Sequence, residues 1–298
     1  MRNMNGLNAI LISMRPKQWT KNLVLFAGVV FSKNFTSPSS LKESFYGFVI
    51  FCALSGTIYI LNDIFDREKD KSHPVKRLRP IASGTLSVAA ASIVSAVVAA
   101  VSLAVSWFFG LEFFIIAVAF VVINIAYSLF IKNIVILDVI TISFSFLLRA
   151  VAGVAVLRSI IPDVELSPWL LICTLFLSLF LAICKRRHEM LFLENASSHR
   201  KSLGDYSVHL LDQLVGLSAT TSLLSYSIYT VWPKTVEKFH TANLVYTIPF
   251  VVFGIMRYLY LVYNRNKGED PSNVLIMEKS ILIDVFLWFV VTVLILIF

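Results

Sequence analysis

Long apolar runs alternate with shorter polar stretches from one end of the chain to the other. Each run approaches about 20 residues, the length an α-helix needs to cross the hydrocarbon core of a bilayer. The pattern predicts nine spans, at roughly 20–36, 43–65, 86–108, 111–130, 135–157, 167–185, 209–231, 243–263 and 280–298. The first is the shortest. Turn and cap signals separate them: Ser37-Pro38-Ser39-Ser40 before the second, Pro162 and Pro168 around the loop after the fifth, and Gly204-Asp205-Tyr206 before the seventh. No self-similarity of solenoid period is evident, so no internal repeat is expected. The expected fold is all-α: a polytopic membrane protein with nine transmembrane helices in a single domain, 1–298.

Composition sharpens this picture. The chain is 57% hydrophobic and only 15% charged, against about 25% charged in a soluble domain. Its three cysteines, Cys52, Cys173 and Cys184, all lie in apolar runs, which predicts neither a disulfide framework nor a metal knuckle. The start carries no cleavable signal pattern, because Arg15-Pro16-Lys17 precedes the first run without a small-residue cleavage site.

Charge then orients the chain. One set of loops receives Arg2, Arg15, Lys17 and Lys21, then Arg67 to Arg79, Lys132, Lys185 to Lys201, and Arg265, Lys267 and Lys279. The other set receives Lys33, Lys42, Arg158, Lys234 and Lys238. The positive-inside rule makes the richer side cytoplasmic, with the N-terminus inside and, for nine spans, the C-terminus outside. The net charge of +8 is therefore a topology signal, and no nucleic-acid partner is expected. The long polar loops 66–85, 185–208 and 264–279 then share the cytoplasmic face of an inner (plasma) membrane, where an active site would lie.

The stretch 59–84, YILNDIFDREKDKSHPVKRLRPIASG, carries the densest chemistry. On a helix Asn62, Asp66 and Asp70 stack at i, i+4 and i+8, and Asp63 lies close enough to join them. An amide and carboxylates are the hard oxygen donors Mg2+ prefers, and that ion commonly bridges to substrate phosphates. Lys76, Arg77 and Arg79, between Pro74 and Pro80, offer fixed positive charge for phosphates. A solvated helix end explains such charges less well, because Asn62 and Asp63 still lie within the apolar run.

Three further groups stand out. In 127–150, Lys132 sits in a short loop, Asp138 enters the fifth span, and Arg149 lies about three helical turns deeper. Lys132 also fits a snorkelling flank residue. Arg149 calls for a carboxylate or phosphate partner, in a functional site or an internal ion pair. Lys185-Arg186-Arg187-His188-Glu189 ends the sixth span and suits either positive-inside charge or phosphate binding, and Glu189 can pair with Lys185. Lys17 precedes the first span beside Trp19, where an interfacial anchor and a phosphate contact are both open. The histidines, His73, His188, His199, His209 and His240, lack ligand spacing for zinc. No Walker or Rossmann glycine pattern is present.

NDIFDREKD, Asn62 to Asp70, resembles the first aspartate-rich motif, NDxxDxxxD, of the UbiA superfamily of intramembrane prenyltransferases. The likeness extends over essentially the whole chain. It implies nine transmembrane helices around a central cavity whose cytoplasmic end binds Mg2+ and a diphosphate. RPKQWTKN (15–22), DREKDKSHPVKRLRPIASG (66–84), YSLFIKNIVILDV (127–139) and FLLRAVAG (146–153) look like the decaprenyl-phosphate phosphoribosyltransferase branch. That branch moves phosphoribose from phosphoribosyl diphosphate (PRPP) to a polyprenyl phosphate, for cell-envelope glycan synthesis. One departure from aromatic prenyltransferases agrees with it: their second motif, DxxxD, is halved here, because Ile142 stands four residues after Asp138.

The resemblance thus implies a Mg2+-dependent transferase with metal ligands Asn62, Asp66 and Asp70 and catalytic carboxylates Asp63, Asp66 and Asp70. Substrate contacts are expected from Lys17, Tyr59, Lys76, Arg79, Tyr127, Lys132, Asp138, Arg149, Lys185 and Arg186. The implied partners are PRPP, a polyprenyl phosphate and the bilayer, with a homo-oligomer allowed by small residues such as Gly153. The competing readings are an aromatic prenyltransferase using a polyprenyl diphosphate and, from another class, a transporter. The latter fits poorly, because the ionisable groups gather at one face instead of forming a path across the membrane.

Overall fold

A computed structural model describes residues 6–192, 201–268 and 271–297. Every regular element among them is helical. Among the described residues eight helices are long and apolar enough to cross a membrane, so the chain is a multi-pass membrane protein. The expectations on Arg2, His199, Arg200 and Phe298 fall outside the described residues.

The chain forms two compact units. The first comprises residues 1–134 and 148–166 and the second 135–147 and 167–298. In the first unit, α1 (Gly6–Ser13) leads to a 3-10 helix, Pro16–Phe26, and then α2 (Ala27–Phe31). The predicted span at 20–36 is therefore a 3-10 segment running into five α-helical residues, and it is not among the eight. Its path follows from close backbone contact. A Cβ on Gly153 would land on the carbonyl group of Leu25, and one on Gly28 would collide with the backbone of Gly153 and Val154. Two glycines thus let this segment press against the later helix, an approach any side chain would block.

Four longer helices complete this unit. They are α3 (Pro38–Phe65), with α4 (Arg67–Ser72) following it, α5 (Val88–Trp107), α6 (Leu111–Leu129) and the second half of α7 (Leu137–Arg158). Ser37 caps α3, its Oγ accepting from the Ser40 amide, as the Ser-Pro-Ser-Ser signal predicts. α3 packs on α5, α6 and the 3-10 segment. Ala9, Ile60, Ile81, Leu86 and Ala91 close its core below the polar end of α3. On the side away from that end, Arg158 is fixed by Glu112, at 2.6 Å, and by the Val164 carbonyl.

The second unit holds the first half of α7, α8 (Pro168–Phe192), α9 (Val208–Val231), α10 (Pro233–Phe239), α11 (Ile248–Asn264), α12 (Pro271–Met277) and α13 (Lys279–Ile297). α8 packs along α9, α9 along α11, and α11 along α13. Phe180, Leu211, Val215, Tyr258 and Leu261 form part of its buried core. α8 runs on to Phe192, so Lys185 to Glu189 are helical and do not begin a loop. No breaker interrupts that run, and Arg186 and Glu189 pair at i, i+3.

Candidate active site

The polar end of α3 gathers the first aspartate-rich segment. The α-helix stops at Phe65, because Asp66 adopts φ −91° and ψ 4°. The expected continuous helical face is thus kinked. Its one-per-turn stacking survives, since the Asp66 amide bonds the Asn62 carbonyl at 2.9 Å and the Asp70 amide bonds the Asp66 carbonyl at 2.8 Å. Past the kink Asp66 faces a different cation from the one that Asp63 and Asp70 share.

Asp63, 2% exposed, accepts from Arg15 and, at 3.1 Å, from Arg79. Arg79 reaches Asp70 as well, at 2.6 Å, so one guanidinium joins two carboxylates sixteen and nine residues away. The Arg79 side chain stays 27% exposed while Asp63 and Asp70 are buried. Asp66 turns elsewhere: Lys132 donates to both of its oxygens, at 2.8 and 3.0 Å. Arg15 has a left-handed backbone, φ 53°, and its guanidinium lies 5.0 Å above the Tyr59 ring. Three acids are therefore matched by three bases drawn from positions 15, 79 and 132.

The other predicted contacts of this unit lie nearby in sequence. Asn62, Tyr59 and Tyr127 are half-buried, on α3 and in the last turns of α6. Lys76 is half-buried in a short 3-10 turn, Lys76–Leu78, and Lys17 is exposed in the 3-10 segment. Arg149 is only 5% exposed. Its Nε donates to the Asn22 amide oxygen at 2.7 Å, and its guanidinium lies 4.6 Å over the Phe120 ring. Asn22 in turn accepts from Ser55 and donates to the Cys52 sulfur. An amide and an aromatic face are thus among the groups that hold this buried cation.

In the second unit, Asp138 and Arg186 form a buried pair, Oδ2 to Nε at 2.9 Å, with side-chain exposures of 0% and 2%. Glu189 pairs with the same guanidinium. The other Asp138 oxygen accepts from the Tyr206 hydroxyl at 2.8 Å. That hydroxyl also accepts from the Ile136 amide at 2.8 Å. Burial, then the neighbouring Asp138 charge, pushes the Tyr206 phenol above its usual value, which keeps it a proton donor. Ile136 has φ 68°, a strained conformation for a β-branched residue, and Tyr206 ties it down. Beside this cluster Arg187 donates to Asp212 at 2.5 Å and lies 4.0 Å over Tyr263, while Lys185 is half-buried.

The sequence gives no site role to Arg15, Asn22 or Tyr206. Arg15 had a signal, its place beside Lys17 ahead of an apolar run. Asn22 had a weaker one, an amide inside that run. Tyr206 had none, since its partners lie 68 and 70 residues away.

Among the described residues no three His, Cys, Asp or Glu side chains gather as a ready metal cluster. Mg2+ does not require one, because it commonly uses one or two carboxylates and completes its shell with water and substrate phosphate. Asp66, with its side chain 24% exposed, and the neighbouring Asn62 supply oxygen donors of that kind.

A model of the UbiA prenyltransferase family matches residues 23–290. The decaprenyl-phosphate phosphoribosyltransferase of Mycolicibacterium smegmatis is 29% identical over 296 residues, covering 95% of this chain and 91% of the relative. The protein of the same name from Corynebacterium glutamicum is 30% identical over 292 residues, covering 95% and 85%. Among solved structures, a UbiA homolog from Archaeoglobus fulgidus bound to GPP and Mg2+ superposes with a TM-score of 0.74 at 18% identity, over 97% of this chain and 100% of that one. At that identity the likeness establishes the fold.

Proposed function

The chain belongs to the UbiA prenyltransferase family, and on that premise we propose that it transfers 5-phosphoribose from PRPP to a polyprenyl phosphate, releasing diphosphate. The observation that carries the narrower reading is the balance of charge around the two motifs. The first has a base for each acid, and the second keeps one aspartate, Asp138, already held by Arg186. A site whose few acids are each matched by a base, with Lys76 close by in sequence, suits a donor that brings a 5-phosphate as well as a diphosphate. Similarity to relatives named decaprenyl-phosphate phosphoribosyltransferases supports the same donor.

In this mechanism the acceptor phosphate oxygen attacks C1 of the ribose as the C1–O bond to diphosphate breaks, with inversion. The leaving diphosphate takes the bonding electron pair. Asn62 and Asp66, with Asp63 or Asp70, would hold Mg2+, and the ion would supply positive charge to the leaving diphosphate. Arg79 and Lys132 exchange their carboxylates for donor phosphates, and Lys76 and Tyr59 add contacts. Arg149 fixes the wall behind Tyr59 through Asn22 and Phe120. Lys17 or Lys185 steers the acceptor phosphate, Asp138, Arg186 and Tyr206 hold the cytoplasmic start of α7 in place, and Tyr127 lines the approach to Lys132. The acceptor is already anionic and needs no general base.

The segment 16–31 serves as a ninth crossing and the chain works as one UbiA-type domain, with its N-terminus and site at the cytoplasmic face of the plasma membrane. The test is an assay of purified protein with labelled PRPP and polyprenyl phosphate, run against labelled prenyl diphosphate and hydroxybenzoate. Phosphoribosyl lipid should form only with Mg2+, and Asp66→Ala should abolish it. Prenylated hydroxybenzoate in its place would make the protein an aromatic prenyltransferase. Full turnover by Asp66→Ala would reject the site.

A further inference from the structure

Two arginines of the second unit share one tyrosine and have no acid. Arg257 is half-buried, about two turns before the end of α11 at Asn264. Its Nε donates to the Ser280 hydroxyl at 3.0 Å, and its guanidinium carbon lies 5.0 Å from the centre of the Tyr260 ring. Arg265 is exposed just past the helix and brings its own guanidinium carbon to 6.0 Å from the same ring centre. Neither arginine makes an ion pair with a described residue. Other bases of this unit do: Arg186 with Asp138 and Glu189, Arg187 with Asp212, and Lys267 with Glu278. Asp284, one turn past Ser280 on α13, lines the cavity between the two helices and does not pair with Arg257.

A guanidinium carries five N–H donors. Arg257 commits only the one on Nε, so its two terminal nitrogens stay open. Its contacts lie toward the ends of their helices, Tyr260 three residues on in α11 and Ser280 in the first turn of α13. The side chain therefore reaches out of the hydrocarbon to headgroup level, where tyrosine and arginine commonly sit. Lys279, exposed beside Ser280, adds a third charge without a described partner. Farther into the span the same face of α11 turns apolar. Phe253 lies one turn deeper than Arg257 and Met256 one turn deeper than Tyr260, and they are 48% and 63% exposed. From the membrane surface inward the order is thus cations first, then an open apolar face.

A phospholipid presents its groups in that order, phosphate at the surface and acyl chains below. We propose that the end of α11 holds an anionic phospholipid, its phosphate on Arg257 and Arg265 and an acyl chain along Met256 and Phe253. Basic side chains set at the end of membrane helices attract anionic headgroups in this way. The guanidinium fork suits phosphate oxygens, and the hydrogen bond to Ser280 and the face of Tyr260 hold Arg257 ready for them. A zwitterionic lipid would bring a headgroup ammonium to a surface that offers Arg257, Arg265 and Lys279, so the site selects net negative charge. A soluble phosphate would leave Met256 and Phe253 uncovered, so it binds more weakly than the lipid.

The test uses the full chain reconstituted in nanodiscs of equal phosphatidylglycerol and phosphatidylcholine. After extraction into mild detergent, native mass spectrometry reads the lipid that remains bound. Wild type should retain phosphatidylglycerol about tenfold above phosphatidylcholine, the scale for two basic side chains acting on one lipid charge. The double variant Arg257→Gln/Arg265→Gln should lose most of that preference. Lys234→Gln, which removes the same kind of charge from α10, should keep it. Arg265→Gln alone alters only an exposed side chain and should lower the preference about threefold, which decides the matter if the double variant fails to elute as monodisperse protein. Equal retention of the two lipids by wild type overturns the proposal, as does an unchanged preference in Arg265→Gln or in a monodisperse double variant. An equal loss in Lys234→Gln would mean that net charge alone acts, and loss of the lipid to excess inorganic phosphate would give the site to a soluble anion; either overturns it. None of these readouts involves PRPP, so the result stands apart from the proposed reaction.

Discussion

Replacing Arg186 with methionine removes the cation at the centre of the second unit's buried cluster. Its side chain is 2% exposed and Asp138 is fully buried, so water cannot take over its role. Breaking a buried pair by deleting one partner costs about 3–5 kcal/mol, because the remaining charge stays desolvated. The structure ranks the two possible deletions. Asp138→Asn leaves Arg186 with Glu189 and still offers Tyr206 an acceptor oxygen, which places it near the lower end. Arg186→Met strips the cation from Asp138 and Glu189 together, which places it near the upper end. The double variant removes the buried charge on both sides and should recover a coupling of about 2–3 kcal/mol. SDS titration of the protein in dodecyl maltoside, followed by tryptophan fluorescence, measures all three unfolding free energies. Arg186→Met costing under about 1 kcal/mol, or a double variant no better than the sum of the singles, would refute the reasoning.

Three further substitutions follow, the first two in the other unit. Lys132→Met should lower kcat/KM for PRPP by about 10²–10³-fold, the scale of losing one preorganised charge at a reacting phosphate. Steady-state kinetics in mixed micelles decides it, and a loss under about tenfold would place Lys132 outside the site. Gly153→Ala should give no folded protein in size-exclusion chromatography, since its Cβ would occupy the position of the Leu25 carbonyl. Gly216→Ala, with nothing within 4 Å of the added carbon, should gain about 0.5–1 kcal/mol of stability in the same experiments.

Long-range contact divides what the sequence revealed from what it did not. The runs predicted at 86–108, 111–130 and 135–157 became Val88–Trp107, Leu111–Leu129 and Leu137–Arg158, because apolarity over a span's length is a local property. The run at 20–36 obeys the same local rule yet winds as a 3-10 helix, pressed against a glycine more than 120 residues away. In the site, one-per-turn stacking of Asn62, Asp66 and Asp70 was legible. The kink at Asp66 was not, because its carboxylate is held by Lys132, 66 residues on. Arg149 drew attention as a buried cation, but its amide partner lies 127 residues away and carries no charge to betray it. Tyr206 is the extreme case: an ordinary loop tyrosine until the backbone of Ile136 and the carboxylate of Asp138 arrive beside it.

The match of acids to bases at the end of α3 has a thermodynamic consequence. A polyanion can recruit Lys132 or Arg79 only by taking it from an aspartate, and each aspartate so abandoned becomes a better seat for a divalent ion. Uptake of phosphate and uptake of metal are then linked, and each must raise the other's affinity by one common factor. Titrating Mg2+ at fixed diphosphate, and diphosphate at fixed Mg2+, should therefore return the same ratio of apparent dissociation constants.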